Sequence, residues 1–542
     1  MVSGLAAAFI GLLMLSLTFI SCGDGNGDGD GGSTEIPIFP PTVFTAAKDV
    51  AGTVELYASF DDGREIVKLS ADLVSGGNVV DFKISPDGIF AAYVADQKTD
   101  QVFELYVVPV DKSVGDRVVK VSGFFMAGDG IKEISPGEYA FAWAPDSSRV
   151  AYLADQRVAG VIELFSNQPN GSNNSRLSQL PGAGREVEEF KWAPNSRQIA
   201  YRADQEINDV ADLYTTLPTA LISQRITSGL GPGQQAAEFN WAPNSSRIAF
   251  IADKTAPGLF QLWTTSPNDA NNVLVSGSLL NPSSEVVEFA WAPDSSLIAY
   301  IADDENDEVF ELFTTRPAAP LISKISGNLV NDGDVTEFAW APDSSRVGYI
   351  ADRLSDDVSE LFTNLPRGGD NVKVSGDLTS GGDGGDVIDF AWAPDSALLA
   401  YSADQDTNNK FELYTSPPAN STGNIKVSGT PMAGTGVSDF NWAPNSVRLS
   451  YIADQNTADV FELFTSTPDG TVNDIVSGSL VAGGNVVEDK WAPDSSGVGY
   501  IADQDTDEVF ELFASQADGS DNTKLSGDFV EGGDVFTFEW VP

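Results

Sequence analysis

Short segments in which apolar and aromatic residues alternate with polar ones recur along the chain, without the spacing of an amphipathic helix. In residues 286–327, VVEFAWA predicts a first strand, LIAYIAD a second, VFELFTT a third and LISKISG a fourth. The Pro-Asp-Ser-Ser sequence between the first two predicts a tight turn, because Pro presets the turn dihedral angle and Asp caps the turn. Each unit is therefore expected to form four short antiparallel strands.

These units follow one another without a linker. FAWAPDSSRVAYLADQ at 141–156 recurs, for example, as FAWAPDSSLIAYIADD at 289–304, and successive tryptophans of the motif lie 49 to 52 residues apart. A more degenerate copy has Ile84 in the tryptophan position, 59 residues before the first of them. The anchoring tryptophans are Trp143, Trp192, Trp241, Trp291, Trp340, Trp392, Trp442, Trp491 and Trp540. Because they recur in every unit, we expect them to pack between units rather than to bind sugars.

A four-stranded unit that repeats every fifty residues or so predicts an all-β fold, the β-propeller, with each unit forming one blade. Residues 43–70 resemble the second, third and fourth strands of a unit but lack a first strand, and VFTFEWVP at 535–542 has the sequence of a first strand. We therefore expect one blade to be built from both segments, closing a single ring of ten blades. Two consecutive smaller propellers are the alternative, since rings usually have four to eight blades.

The segments APDSSLIAYIAD at 292–303 and SPDGIFAAYVAD at 85–96 resemble the repeat of TolB-type β-propellers, which are related to WD40-like repeats. The resemblance extends from about Val43 to Pro542 and implies the propeller fold. It implies no particular function, because such blades serve many tasks.

The N-terminal residues have the features of an export signal. Residues 4–20 are apolar and are followed by FISC, which is typical of a lipoprotein cleavage site with Cys22 as the lipidated residue. An uncleaved membrane anchor or a plain signal peptide are the alternatives. The predicted organisation is a signal peptide at 1–22, a Gly/Asp-rich flexible tether at 23–41 and a propeller at 42–542. The propeller is expected outside the cytoplasm, in the periplasm or at the cell surface.

The tether matches the pattern of a calcium-binding loop. Asp24, Asn26, Asp28 and Glu35 occupy the ligand positions. A segment composed largely of Gly and Asp meets this pattern easily, and no helix is expected to flank it. We therefore predict weak calcium binding at most, and no other cofactor.

Charge and composition restrict the partners. With 79 acidic and 30 basic residues, the chain has a net charge of -49, which argues against binding of nucleic acid or of anionic membrane through the folded surface. The chain contains no histidine and no Gly-x-Ser-x-Gly motif, so common catalytic groups are missing. We expect a non-enzymatic monomer that contacts the membrane through its lipid only. A carboxylate-dependent carbohydrate-active enzyme and a divalent-cation-dependent glycan-binding module are the alternatives.

Acidic loops are predicted to lie on one face. In a propeller, hairpins between second and third strands share a face with the connections between blades, and sequences such as DDENDE at 303–308 and DQDTDE at 503–508 fall there. The acidic residues predicted for this face are Asp303, Asp304, Asp307, Glu308, Asp503, Asp505, Asp507 and Glu508. The face predicts a scaffold that binds a cell-envelope protein or glycan, and solubility in a saline habitat is the alternative explanation of its acidity.

Overall fold

The computed structural model describes residues 39–112, 117–125, 129–179, 184–278, 284–304, 309–355, 357–378, 385–430 and 436–542. These residues form a ten-bladed β-propeller of four-stranded antiparallel sheets. The predicted single ring of ten blades is confirmed, and two smaller rings are not formed. We number the complete sheets blades 1 to 9 along the chain, and blade 10 combines both ends of the described chain.

The strands of each blade follow one another from one edge of the sheet to the other. The first strands of blades 1 to 10 are β4 (Val79–Ile84), β10 (Phe141–Trp143), β14 (Val187–Trp192), β18 (Ala236–Trp241), β22 (Val286–Trp291), β26 (Val335–Trp340), β30 (Val387–Trp392), β34 (Val437–Trp442), β38 (Val486–Trp491) and β42 (Val535–Trp540). The second strands are β5 (Phe90–Ala95), β11 (Val150–Ala154), β15 (Ile199–Ala203), β19 (Ile248–Ala252), β23 (Ile298–Ala302), β27 (Val347–Ala351), β31 (Leu399–Ala403), β35 (Leu449–Thr457), β39 (Gly497–Ala502) and β1 (Thr42–Ala46).

The third and fourth strands complete the sheets. The third strands are β6 (Glu104–Pro109), β12 (Glu163–Asn167), β16 (Asp212–Thr216), β20 (Gln261–Thr265), β24 (Glu311–Thr315), β28 (Glu360–Asn364), β32 (Glu412–Ser416), β36 (Val460–Ser466), β40 (Glu511–Gln516) and β2 (Glu55–Phe60). The short fourth strands are β7 (Val119–Lys120), β13 (Ser175–Arg176), β17 (Ser223–Arg225), β21 (Val273–Leu274), β25 (Ser323–Lys324), β29 (Val372–Lys373), β33 (Ile425–Lys426), β37 (Asn473–Ile475), β41 (Thr523–Lys524) and β3 (Glu65–Lys68).

Among the residues that the structure describes, two elements stand outside this plan. The hairpin of β8 (Glu133–Ser135) and β9 (Glu138–Tyr139) precedes the first strand of blade 2 and accounts for the longer spacing at the first repeat. A single 3₁₀ turn at Ser421–Gly423 lies before β33. In the described ranges, no helix is long and apolar enough to cross a membrane.

Blade 10 closes the ring as predicted. The antiparallel pairing of β1 with β42 places Thr42 opposite Trp540 and Phe44 opposite Phe538, so the C-terminal strand completes a sheet begun at the other end of the described chain. Phe44, Phe538 and Trp540 are buried in one apolar cluster that also contains residues of blade 9. Closure therefore depends on strand pairing and side-chain packing together.

The repeated tryptophans join neighbouring blades. The indole N–H of Trp340 donates to the backbone oxygen of Ala290 at 3.1 Å, and that of Trp540 donates to Lys490 O at 2.9 Å. Each such bond runs from the first strand of one blade to the first strand of the preceding blade. The first strands are therefore innermost and line the central channel. Blade 1 has Ile84 in this position, and no indole joins it to blade 10.

The turns between first and second strands form the bottom face of the ring. In blades 2 to 9 the serine that directly follows the turn Asp or Asn has a positive φ, and its hydroxyl accepts a hydrogen bond from the preceding blade, as in Ser344 with Asp294 N at 3.0 Å. The hairpins between second and third strands and the connections between blades form the opposite face, which we call the top face.

Candidate functional site

The predicted acidic residues of the top face fall into two groups. Asp303 and Asp503 end second strands and are only 3% and 4% exposed. Their carboxylates accept backbone N–H groups of Glu285 and Asn485, which precede first strands. The equivalent aspartates of the other complete blades make the same kind of bond, and several also accept a backbone N–H five residues further on in the hairpin. Asp303 and Asp503 therefore hold the blade together.

The remaining residues of this group lie nearer to solvent. Asp304 is half-buried, and Asp505, Asp507 and Glu508 are exposed. Asp505 forms an ion pair with Lys524 at 2.6 Å. The predicted residues Asp307, Glu308, Cys22, Asp24, Asn26, Asp28 and Glu35 lie outside the described residues. Of the described residues predicted for this face, only Asp505, Asp507 and Glu508 are exposed.

A second set of carboxylates, which the sequence analysis missed, lies on the channel wall. In nine blades the first strand carries a β-bulge near its top end, where two residues face one on the second strand. Bulges redirect side chains and are common beside functional sites. In blade 5 the two bulge residues are Val287 and Glu288, the latter three residues before Trp291. Eight blades have an acid at this position, namely Asp81, Glu189, Glu238, Glu288, Glu337, Asp389, Asp439 and Glu488.

On one side of the channel these acids have basic neighbours. Lys191 lies 3.1 Å from Glu189, and Lys490 lies 2.7 Å from Glu488. In both blades the lysine follows its acid by two residues, so both side chains lie on the same face of the strand. Arg202 adds an ion pair with Glu188 at 3.0 Å. This half of the wall has mixed charge.

The other half carries acids alone. Blades 4 to 8 contribute Glu238, Glu288, Glu337, Asp389 and Asp439, which we call the acidic arc. The residue two positions further on is Asn or Ala in all five blades. Among the residues that the structure describes, no Lys or Arg forms an ion pair with a member of the arc. Five consecutive blades of the described structure therefore present carboxylates without an ion-paired base, and only Glu238 feels nearby positive charge, from Lys191 and Arg202 of blade 3.

The surroundings of the arc disfavour its charged form. Burial in the channel wall raises the pKa of Glu238 and of Glu337 to about 7. Neighbouring carboxylates add to both shifts, while the charge of Lys191 opposes the shift of Glu238. Burial also raises the pKa of Glu288 and of Asp389. In Asp389 the charge of Asp439 contributes in the same direction. Because like charges repel along the arc, a cation placed there would relieve the repulsion.

One inner strand departs from the repeat in a different way. The position two residues before the conserved tryptophan is Phe in eight blades of the tryptophan series and in blade 1, but Asp489 in blade 9. Asp489 is 4% exposed and accepts a hydrogen bond from Ser450 of blade 8. Burial raises its pKa to about 7, and the charges of Asp439 and Glu488 contribute. The charge of Asp439, the arc residue of blade 8, therefore acts on Asp489.

The arc does not form a compact metal site. Within the described ranges, no three Asp, Glu, His or Cys side chains lie close enough together to hold a metal ion. Its carboxylates are distributed, one per blade, along the wall. The sequence carries a signal for the arc, since in these five blades an acid recurs three residues before the tryptophan without a lysine two residues after the acid.

Comparison with known proteins does not identify a family for this chain. No family model matches the sequence, and no curated protein matches it significantly. Among solved structures, an oligogalacturonate lyase in complex with manganese is similar over 60% of this chain and 87% of that chain, with 11% identity and a TM-score of 0.34. A structure described as the eukaryotic initiation factor is similar over 93% and 99%, with 11% identity and a TM-score of 0.47. We infer neither a ligand nor an activity from such distant similarities.

Proposed function

We propose that this protein is a binding scaffold of the cell envelope, with a TolB-like propeller tethered through lipidated Cys22, and that its partner carries positive charge. The partner docks on the top face and reaches the channel wall. The acidic arc carries this proposal, because five adjacent carboxylates lack the ion pairs that Lys191 and Lys490 make with the equivalent acids Glu189 and Glu488. The β-propeller fold itself supports a binding or scaffold role.

Catalysis is not part of this proposal. The carboxylates of the arc are distributed along five blades, which suits contact with an extended charged partner better than reaction at one point. A carbohydrate-active enzyme and a cation-dependent glycan-binding module are the less favoured alternatives. We assign the tether at 23–41 the role of a spacer, with weak calcium binding at most.

The test measures binding of oligolysine to the full-length protein by calorimetry at low and high salt. We expect binding that weakens with salt, because exposed charges are screened. Replacing three arc residues together, Glu288→Gln, Glu337→Gln and Asp389→Asn, should weaken it markedly.

A matched control changes the same net charge in the same three blades at the bottom face. Asp294→Asn, Asp343→Asn and Asp395→Asn affect exposed turn residues, and Asn occupies this position naturally in blades 3, 4 and 8. If the control weakens binding as much as the arc variant, net charge rather than the arc attracts the partner. Absence of binding to the parent protein would contradict the proposed function.

A further inference from the structure

Large apolar side chains are exposed at the top of several first strands. The first bulge residue is Val287 in blade 5, Ile388 in blade 7, Val487 in blade 9 and Phe536 in blade 10, and these side chains are 43%, 51%, 55% and 55% exposed. They occupy the same register position, immediately before the position of the channel acids. Exposed apolar groups that recur at one site commonly mark an interaction surface.

Two of these residues border a groove between blades 9 and 10. The groove has a volume of about 500 Å³ and is lined by Val487 and Phe536 together with Ile501, Phe510 and Val535. Glu488 and Asp534 also line it. The groove is large enough for a bulky apolar side chain, because small-molecule pockets begin at about 300 Å³.

The charges around the groove select its occupant. The acidic arc ends in blade 8 at Asp439, whose charge acts on Asp489 at the junction with blade 9. A chain with a net charge of -49 repels anionic lipid, nucleic acid and a second copy of itself. The segment at 23–38 contains no Lys or Arg, so it does not supply the missing positive charge. A cationic polypeptide that carries an apolar side chain fits both the apolar groove and the acidic arc beside it.

We propose that the groove between blades 9 and 10 receives an apolar side chain from a basic segment of a partner protein, whose Lys or Arg residues lie along the acidic arc. This inference rests on the proposed function and specifies its partner as a polypeptide in which apolar and cationic residues alternate. Val287 and Ile388 offer further apolar contacts between the carboxylates of the arc.

Three synthetic peptides of equal length test the proposal against the full-length protein by calorimetry. One alternates Lys with Leu, one alternates Lys with Ser, and one alternates Ser with Leu. We expect the Lys/Leu peptide to bind about tenfold more tightly than the Lys/Ser peptide, because burial of one Leu contributes roughly that factor. The uncharged Ser/Leu peptide should bind more weakly than either.

The double variant Val487→Ser, Phe536→Ser should remove the advantage of the Lys/Leu peptide and leave binding of the Lys/Ser peptide unchanged. Val447→Ser is the control, because Val447 is 59% exposed at a bottom-face turn. Equal affinity of the Lys/Leu peptide for the parent and the double variant would overturn the groove proposal alone. Failure of both cationic peptides to bind the parent would overturn the proposed function as well, and tighter binding of the Ser/Leu peptide would overturn the requirement for positive charge.

Discussion

Ser450 Oγ donates a hydrogen bond to Asp489 Oδ2 at 2.6 Å across the junction of blades 8 and 9. In the equivalent junctions a phenylalanine packs over a small residue of the preceding blade, as Phe390 does over Gly348. Both partners are polar here, and Asn441 Nδ2 lies 3.5 Å from the other carboxylate oxygen. At this junction a buried, hydrogen-bonded carboxyl group therefore stands where the other junctions have an apolar contact.

This carboxyl group should make stability depend on pH. Burial raises the pKa of Asp489 from 3.8 to about 7, so the native state retains a proton that the unfolded state loses. The resulting stabilisation is complete below about pH 4 and is lost as pH rises through about 7. Relative to Asp489→Asn, the parent should lose up to about 4 kcal/mol of unfolding free energy over this window.

Urea unfolding at about pH 4 and about pH 8 measures the difference between parent and variant. Taking the difference cancels the titration of the other acids, which both proteins share. An Asp494→Asn variant is the control, since Asp494 is an exposed turn residue of the same blade and does not contribute to the pKa shift of Asp489. A parent-minus-variant difference that does not change with pH would show that Asp489 stays ionised in the folded protein.

Much of the fold could be predicted from the sequence, because each blade repeats the same four strands and the same turn residues. The strand pattern, the turn residues and the matching segments at 43–70 and 535–542 together indicated ten blades and their closure. The acidic arc was harder to predict, because its exposure depends on the β-bulge and on the absence of lysine two residues further on. From the sequence, Asp303 is expected to be exposed with the other acids of its loop. In the structure its side chain is buried and accepts a hydrogen bond from a backbone N–H group.

The tryptophan between blades 5 and 6 should contribute through packing and through one hydrogen bond. Trp340 is 8% exposed and donates to Ala290 O. Trp340→Ala should reduce the unfolding free energy by about 3 to 5 kcal/mol, as expected for an aromatic cavity. Trp340→Phe keeps a ring and should cost less. Chemical denaturation compares them, and equal losses would mean that the cavity is not the main cause.

Deletion of residues 535–542 should open the ring. It removes the partner of β1 and leaves an unpaired strand edge, which favours pairing with another chain. We expect loss of the cooperative thermal transition or formation of strand-exchanged oligomers, measured by calorimetry and size-exclusion chromatography. Trp340→Ala is the comparison, because it weakens a junction without removing a strand. A truncated protein that remains monomeric and melts as cooperatively as the parent would contradict closure through β42.

The proposed tether predicts the behaviour of Cys22→Ser. If acyl chains on this sulfur hold the protein at the membrane, the variant should leave the membrane fraction. Labelling with a fatty-acid probe measures acylation of the protein, and cell fractionation measures its retention at the membrane. Continued behaviour as an integral membrane protein would instead indicate that the apolar segment at 4–20 remains as an anchor.

The third strands predict a stabilising substitution. In blade 7, Glu412 uses one carboxylate oxygen for Lys426 at 2.7 Å and accepts the hydroxyl of Tyr414 on the other at 2.9 Å. In blade 9, Glu511 forms the same ion pair with Lys524 at 2.8 Å, but Phe513 stands in the tyrosine position. Within the described structure, the second oxygen of Glu511 is buried without a hydrogen-bond partner.

Phe513→Tyr should supply the missing hydroxyl. The aromatic stacks have nearly the same geometry, with ring centroids 5.4 Å apart for Tyr401 and Tyr414 and 5.5 Å apart for Tyr500 and Phe513. We therefore expect the new tyrosine to reach Glu511 and to raise the unfolding free energy by about 1 kcal/mol, the usual net contribution of such a bond. Tyr414→Phe is the matched reverse change and should lower it by a similar or larger amount. Urea unfolding of both variants measures the two effects, and a destabilised Phe513→Tyr protein would mean that blade 9 has no room for the hydroxyl.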